Sequence, residues 1–162
     1  LSDDESFLPA TPFGILLLLE HYNITTTGKR VVVLGRSNIV GRPISILMGQ
    51  QRTCGNATVT MCHSQSTNTE EITLQADILI SAIGKPESIT ASMVKEGAVV
   101  IDVGIVRVKD ETSAAGYKIK GDVHFETVAP KCSYITPVPG GVGPMTIAAL
   151  MTNTMKAYKQ RK

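Results

Sequence analysis

The chain has 162 residues, 43% of them hydrophobic, enough to bury one sizeable core but too few for two full domains. Its formal charge of +2 comes from scattered Lys and Arg rather than a basic run, which argues against a nucleic-acid partner. The apolar run Ile15–Leu19 is too short for a membrane span and the opening Asp3, Asp4, Glu5 has the wrong charge for a signal peptide.

No membrane partner and a cytoplasmic location are therefore expected. Cys54, Cys62 and Cys132 are odd in number and lack CxxC spacing, which suits reduced thiols better than a disulfide frame or a zinc site. No metal ligand set is expected. The chain opens at Leu1, in a polar stretch and without Met, which reads as a boundary within a longer protein.

In chain order, Thr11-Pro12 suits a helix start, with Thr as cap and Pro in the first turn, leading a helix over Phe13–Tyr22. Val31–Leu34 is a continuous β-branched and apolar run, the pattern of a strand buried on both faces. A tight turn over Gly35–Gly41 follows, and then a helix with Pro43 in its first turn and Ile44, Ile46, Leu47 and Met48 as its apolar stripe. Further strands are predicted at Ala57–Cys62, Asp77–Ala82 and Ala98–Val103, separated by helical segments at Glu70–Gln75 and Ala91–Lys95. Strands alternating with helices indicate an α/β, Rossmann-like, doubly wound parallel sheet over the whole of 1–162. The polar stretch Val106–Asp122, with Gly116 and Gly121, breaks this rhythm and reads as a hairpin or loop excursion. A short helix near Phe125–Ala129, a strand over Tyr134–Val138 and an amphipathic helix from about Met145 to Tyr158 complete the chain.

VVVLGRSNIVG sets a glycine loop between a buried strand and a helix, where free backbone N–H groups and the helix dipole can hold a pyrophosphate. It departs from G-x-G-x-x-G: Ser37 takes the second glycine position and Gly41 falls one residue late. A plain strand-to-helix turn is the competing reading. Selection between NAD and NADP sits at the end of the second strand, where a carboxylate bonds the ribose 2′-hydroxyl of NAD. Here that strand ends in Cys62-His63-Ser64 with no carboxylate, so a 2′-phosphate would meet His63, Ser64 and the Arg36 guanidinium. NADP is favoured. Alternatively, Arg36 is a solvated loop charge and His63 a capping or core residue. The run Thr136–Thr146 sets three glycines and three prolines between a strand and a helix, a rigid wall permitting close approach of a flat ligand.

The segments PATPFG at 9–14, GRSNIVGRP at 35–43, CHS at 62–64, ADILISAIGKP at 76–86, GAVVIDVGI at 97–105, GDV at 121–123 and ITPVPGGVGPMT at 135–146 stand in order along the chain. Together they resemble the methylenetetrahydrofolate dehydrogenase/cyclohydrolase family over nearly the whole chain. Ala10 stands where the family often has Cys, and Val106 where it often has Asn. The resemblance implies NADP-dependent oxidation of 5,10-methylenetetrahydrofolate to the methenyl form, and hydrolysis of that to 10-formyltetrahydrofolate, by a homodimer. It further implies that Gly35, Ser37, Ile39 and Val40 form the cofactor loop while Arg36 and Ser64, with His63, hold the 2′-phosphate. On the same grounds Val103, Gly104 and Ile105 would meet the nicotinamide ribose, Thr146 the carboxamide side, and Pro139, Gly140 and Gly143 the folate cleft.

The resemblance also implies a preceding folate domain carrying a Tyr-x-x-x-Lys pair, a Gln and an Asp, so no catalytic residue is expected in this chain. The matching spacing occurs here at Tyr158 and Lys162, which reads as a solvated helix end rather than a catalytic pair. His21 and His124 have no carboxylate at suitable spacing and read as structural. The expected entity is the cofactor domain of a bifunctional oxidoreductase and hydrolase, binding NADP but largely inactive alone. A stand-alone nucleotide-binding module is the alternative.

Overall fold

The computed structural model describes residues 6–113 and 115–161. Its strands are β1 (Arg30–Leu34), β2 (Thr58–Cys62), β3 (Ile78–Ser81), β4 (Val99–Asp102), β5 (Val106–Lys109), β6 (Tyr117–Lys120) and β7 (Tyr134–Ile135). The helices are α1 (Ala10–His21), α2 (Gly41–Gly49), α3 (Thr69–Thr73), α4 (Phe125–Val128) and α5 (Val142–Gln160).

Val31–Leu34 is buried at every position because β1 lies inside the main sheet, whose order is β2-β1-β3-β4-β7 with every ladder parallel. Alternate side chains of β1 feed opposite layers. Val31 and Val33 join Ile15, Leu19, Ile44 and Met48 beneath α1 and α2. Val32 and Leu34 join Ala76, Leu79, Ile89 and Val128 on the other face. The sheet is thus wound on both sides, as the alternation of strands and helices predicted. Its order reverses at β1, with β2 on one side and β3 on the other, and such a reversal opens a crevice at the strands' carboxyl ends.

Several boundaries differ from the sequence reading. Thr11 lies inside α1 rather than capping it, because the first N–H groups of a helix have no intrahelical partner and tolerate Pro12 two residues in. The Thr11 hydroxyl instead meets that of Thr146 on α5 at 3.0 Å. By the same logic α5 starts at Val142, ahead of Pro144, and not near Met145. The predicted strand over 134–138 pairs only at Tyr134 and Ile135, because Pro137 and Pro139 cannot donate to a ladder. The segment over 91–95 is a single 3-10 turn, Ala91–Met93. The excursion over 106–122 is an antiparallel ribbon of β5 and β6, with Arg107 over the Tyr117 ring. A hydrogen bond from Lys118 holds the Asp110 carboxyl in that ribbon far below the usual carboxylate range.

α1 and α5 pack side by side through Gly14, where an added Cβ would sit 2.8 Å from the Met145 carbonyl. Asn153 Nδ2 donates to the Leu8 carbonyl at 2.8 Å. None of the described helices is long and apolar enough to cross a membrane.

The tightest passage is the β1–α2 turn. Gly35 has φ +108, and a Cβ on it would overlap the Ala82 carbonyl, while a Cβ on Gly41 would overlap the carbonyl of Gly35. Because the obstacles are backbone, Gly41→Ala is expected to destabilise the fold by about 1–3 kcal/mol, as overpacking does. Urea denaturation reads this directly, and an unchanged midpoint would contradict the close approach.

Candidate functional site

At the carboxyl ends of β1, β2 and β3 lies a cleft of ≈ 500 Å³. Gly35, Arg36 and Ser37 from the first loop, and Cys62, His63 and Ser64 from the end of β2, form one wall; Ala82, Ile83, Lys85, Ser88, Ile89 and Met93 form the other. Among the described residues no carboxylate lines it. Gln65 N–H donates to His63 Nδ1 at 3.2 Å, so a neutral ring carries its proton on Nε2 and keeps a donor there. The guanidinium of Arg36 has no hydrogen bond or ion pair among the described residues, which leaves its fork of donors open. Burial pushes the Cys62 thiol up, so it stays protonated at neutral pH.

At the mouth of α2, Ser37 Oγ accepts the N–H groups of Val40 and Gly41 at 3.2 and 3.3 Å, so the serine in the second glycine position ties the loop to the first residue of the helix. Ile39 is 75% exposed and lines neither this cleft nor the next.

A second cleft, ≈ 730 Å³, lies between the Thr136–Thr146 turn and the end of β4. Val40, Val103, Ile105, Pro139, Gly140, Gly143 and Thr146 all line it. Val138-Pro139 is a cis bond; Gly140, with φ +102, adopts a left-handed conformation that suits glycine. Thr146 Oγ1 also donates to the Val142 carbonyl at 3.2 Å, so its hydroxyl is fixed between α5 and Thr11. Gly104 borders the cleft from within the protein: it is buried, and a Cβ there would overlap Asp122.

Two buried carboxylates, Asp102, which borders the second cleft, and Asp122, which lines neither cleft, lie inside quoted sequence motifs but attracted no role from the sequence. Burial pushes the Asp102 carboxyl up, against the N–H groups of Val123, Asp122 and Gly104 that favour its charged form. Acidic residues read as surface by default, and only the glycines beside them, Gly104 and Gly121, hinted at enclosure.

His21 packs edge-on against Tyr22 at 5.0 Å between ring centroids, and His124 Nδ1 meets Thr127 Oγ1 at 3.0 Å at the start of α4. Tyr158 is exposed on α5, while Lys162 lies outside the described residues. No cluster of three His, Cys, Asp or Glu among the described residues could hold a metal ion.

A family model described as tetrahydrofolate dehydrogenase/cyclohydrolase, NAD(P)-binding domain, matches residues 9–162. The chain belongs to this family. It is 62% identical over 160 residues to the bifunctional protein FolD of Flavobacterium psychrophilum, covering 99% of this chain and 54% of that protein. The crystal structure of the bifunctional FolD dehydrogenase/cyclohydrolase from Campylobacter jejuni superposes with a TM-score of 0.88 at 48% identity, over 98% of this chain and 53% of that one. The FolD of Trypanosoma brucei, complexed with NADP cofactor and inhibitor, gives 0.87 at 40% identity, over 95% of this chain and 51% of that one. The chain spans about half the length of the curated relatives it matches. Family membership makes the switch-point crevice and the glycine-proline turn the features to explain.

Ser37→Ala removes both of the bonds that the Ser37 hydroxyl accepts from Val40 and Gly41 and should lower stability by about 0.5–1.5 kcal/mol, the net worth of an intramolecular hydrogen bond. A thermal melt checks this, and an unmoved midpoint would mean that the Ser37 hydroxyl holds nothing.

Proposed function

We propose that this chain is the NADP-binding half of an enzyme that oxidises 5,10-methylenetetrahydrofolate and hydrolyses the methenyl product to 10-formyltetrahydrofolate. The observation that carries the reading is the cleft at the β1/β3 reversal, walled by Arg36, His63 and Ser64 and by no carboxylate. A carboxylate there would bond a ribose 2′-hydroxyl and repel a 2′-phosphate. Arg36 offers a planar fork to phosphate oxygens, with a hydroxyl from Ser64 and the Nε2 donor of His63 beside it.

The dinucleotide would run from this cleft over the loop of Gly35, Ser37, Ile39 and Val40. Its nicotinamide half would reach the second cleft, with Val103, Gly104 and Ile105 at the ribose and Thr146 at the carboxamide. When bound, the cofactor supplies the hydride acceptor. Pro139, Gly140 and Gly143 would form one side of the folate cleft, where their rigid backbone excludes water and orients a flat ring.

The rest of the folate site would come from a second half of the protein. The surface of α5 supports this, since Ile147, Leu150, Met151, Met155 and Tyr158 are each more than half exposed. At 100° per residue they fall on one side of the helix, opposite the buried Ala149. Homodimerisation belongs to the same proposal, with the β5–β6 ribbon as contact surface, because a two-stranded ribbon presents open edges to a second copy.

Calorimetry with both cofactors tests the preference. The unsubstituted chain should bind NADP more tightly than NAD. Arg36→Ala should weaken NADP by about 10- to 100-fold, the worth of a charge-assisted hydrogen bond, and leave NAD nearly unchanged. Tighter binding of NAD would sink the reading.

The chain alone should not accelerate hydrolysis of methenyltetrahydrofolate. Positioning a substrate can supply roughly 7–11 kcal/mol of a barrier, and one side of a cleft cannot provide it. Nor does the Pro139–Thr146 turn carry a titratable side chain to activate water. Loss of methenyl absorbance above the uncatalysed rate would show that a catalytic group lies within these residues.

A further inference from the structure

Asp102 ends β4 and Asp122 follows β6; they are 3% and 0% exposed, Asp102 borders the second cleft, and the Asp122 N–H donates to the Asp102 carboxylate. Among the described residues no Lys or Arg side chain bonds either carboxylate, and six N–H and O–H donors do. Asp122 Oδ2 accepts from Ser81 Oγ at 2.9 Å and from Ile83 N–H at 2.8 Å, and Asp122 Oδ1 from Lys85 N–H at 2.9 Å. Asp102 Oδ1 accepts from Gly104 N–H at 2.8 Å and from Asp122 N–H at 3.0 Å, and Oδ2 from Val123 N–H at 2.9 Å.

Each carboxylate grips a different loop. Asp122 holds the loop after β3, whose Ile83 and Lys85 form a wall of the first cleft. Asp102 holds the loop after β4, where Gly104 sits between Val103 and Ile105 of the second cleft. The N–H of Asp122 donates to Asp102, which joins the two grips into one unit. Gly104 and Gly121 carry no side chain where a Cβ would overlap the carboxylates, so the backbone closes over both.

We propose that Asp122 and Asp102 are positioning residues that hold the two halves of the nucleotide site in register, Asp122 fixing the adenosine side and Asp102 the nicotinamide side. This rests on the cofactor reading above. Neither group exchanges a proton or touches the reacting atoms in this role; each acts through the amides that it holds. Asparagine keeps the shape but turns an NH2 group toward an N–H or O–H donor, so at least one grip is lost in either orientation. Arginine or lysine pairing would not specify loop position in this way, because six directed donors fix two loops where a single ion pair fixes one contact.

The test compares NADP with 2′,5′-ADP, which occupies only the adenosine side, in equilibrium binding to the unsubstituted chain, Asp122→Asn and Asp102→Asn. Asp122→Asn should weaken both ligands by about tenfold or more, the cost of an unmade buried hydrogen bond. Asp102→Asn should weaken NADP by a similar factor and leave 2′,5′-ADP within about twofold. Equal losses of both ligands in both variants would indicate general loosening and overturn the assignment, as would unchanged binding in both. Should a substituted chain fail to fold, amide hydrogen exchange on the unsubstituted, cofactor-free chain decides. The N–H groups of Ile83, Lys85, Gly104 and Val123 should be protected like those of β3 and β4, and exchange at loop rates would overturn the proposal. Failure of the unsubstituted chain to bind either NADP or NAD would overturn the cofactor reading and this proposal with it, whereas normal binding with insensitive variants overturns this proposal alone.

Discussion

The closeness of backbone to backbone at the β1–α2 turn sets the rest of the architecture. Gly35 passes the Ala82 carbonyl and Gly41 passes the Gly35 carbonyl with no room for a methyl group. That approach lets α2 start directly over the end of β1 and keeps the turn from filling the space where the strand order reverses. The crevice with Arg36, His63 and Ser64 exists because two residues lack side chains, while the buried valines of β1 hold the strand that they terminate. Ser37 completes the turn by bonding the exposed amides of α2 from within the chain.

Much of this was legible in the sequence because it depends on patterns that local chemistry imposes. A run such as Val31–Leu34 between a polar break and a glycine loop has few alternatives to a central parallel strand, and β1 is buried there on both faces. Arg36, His63 and Ser64 at the first cleft were also legible, since each follows a strand by one or two positions and chain connectivity alone brings strand ends together. Helix starts were read less well. Thr11 was placed by a capping rule and the start of α5 near Met145 by its amphipathic run, but a helix can begin upstream of a proline in its first turn, and α1 and α5 meet at Gly14 and Thr146.

What the sequence did not disclose is the Asp102 and Asp122 pair. Four of their six donors are backbone amides of residues 20 to 39 positions away in the chain, and main-chain donors leave no mark in composition or spacing. Lys85 was missed for a related reason: its place on the wall of the first cleft follows from the Asp122 bond to its amide, a contact without a sequence signature.

The two-sided character of α5 has a mechanical corollary. One long side of the helix is packed on α1 and the other carries the apolar stripe, while its first turn, through Val142, Gly143, Pro144 and Thr146, forms part of the second cleft. A helix of 19 residues is about 28 Å long. Pivoted at its far end, such a rod turns a tilt of about 2° into a displacement of about 1 Å at the cleft, because helices bend little over that length. The stripe and the cleft wall are therefore two ends of one lever, and the fit of whatever lies against the first is felt as the width of the second.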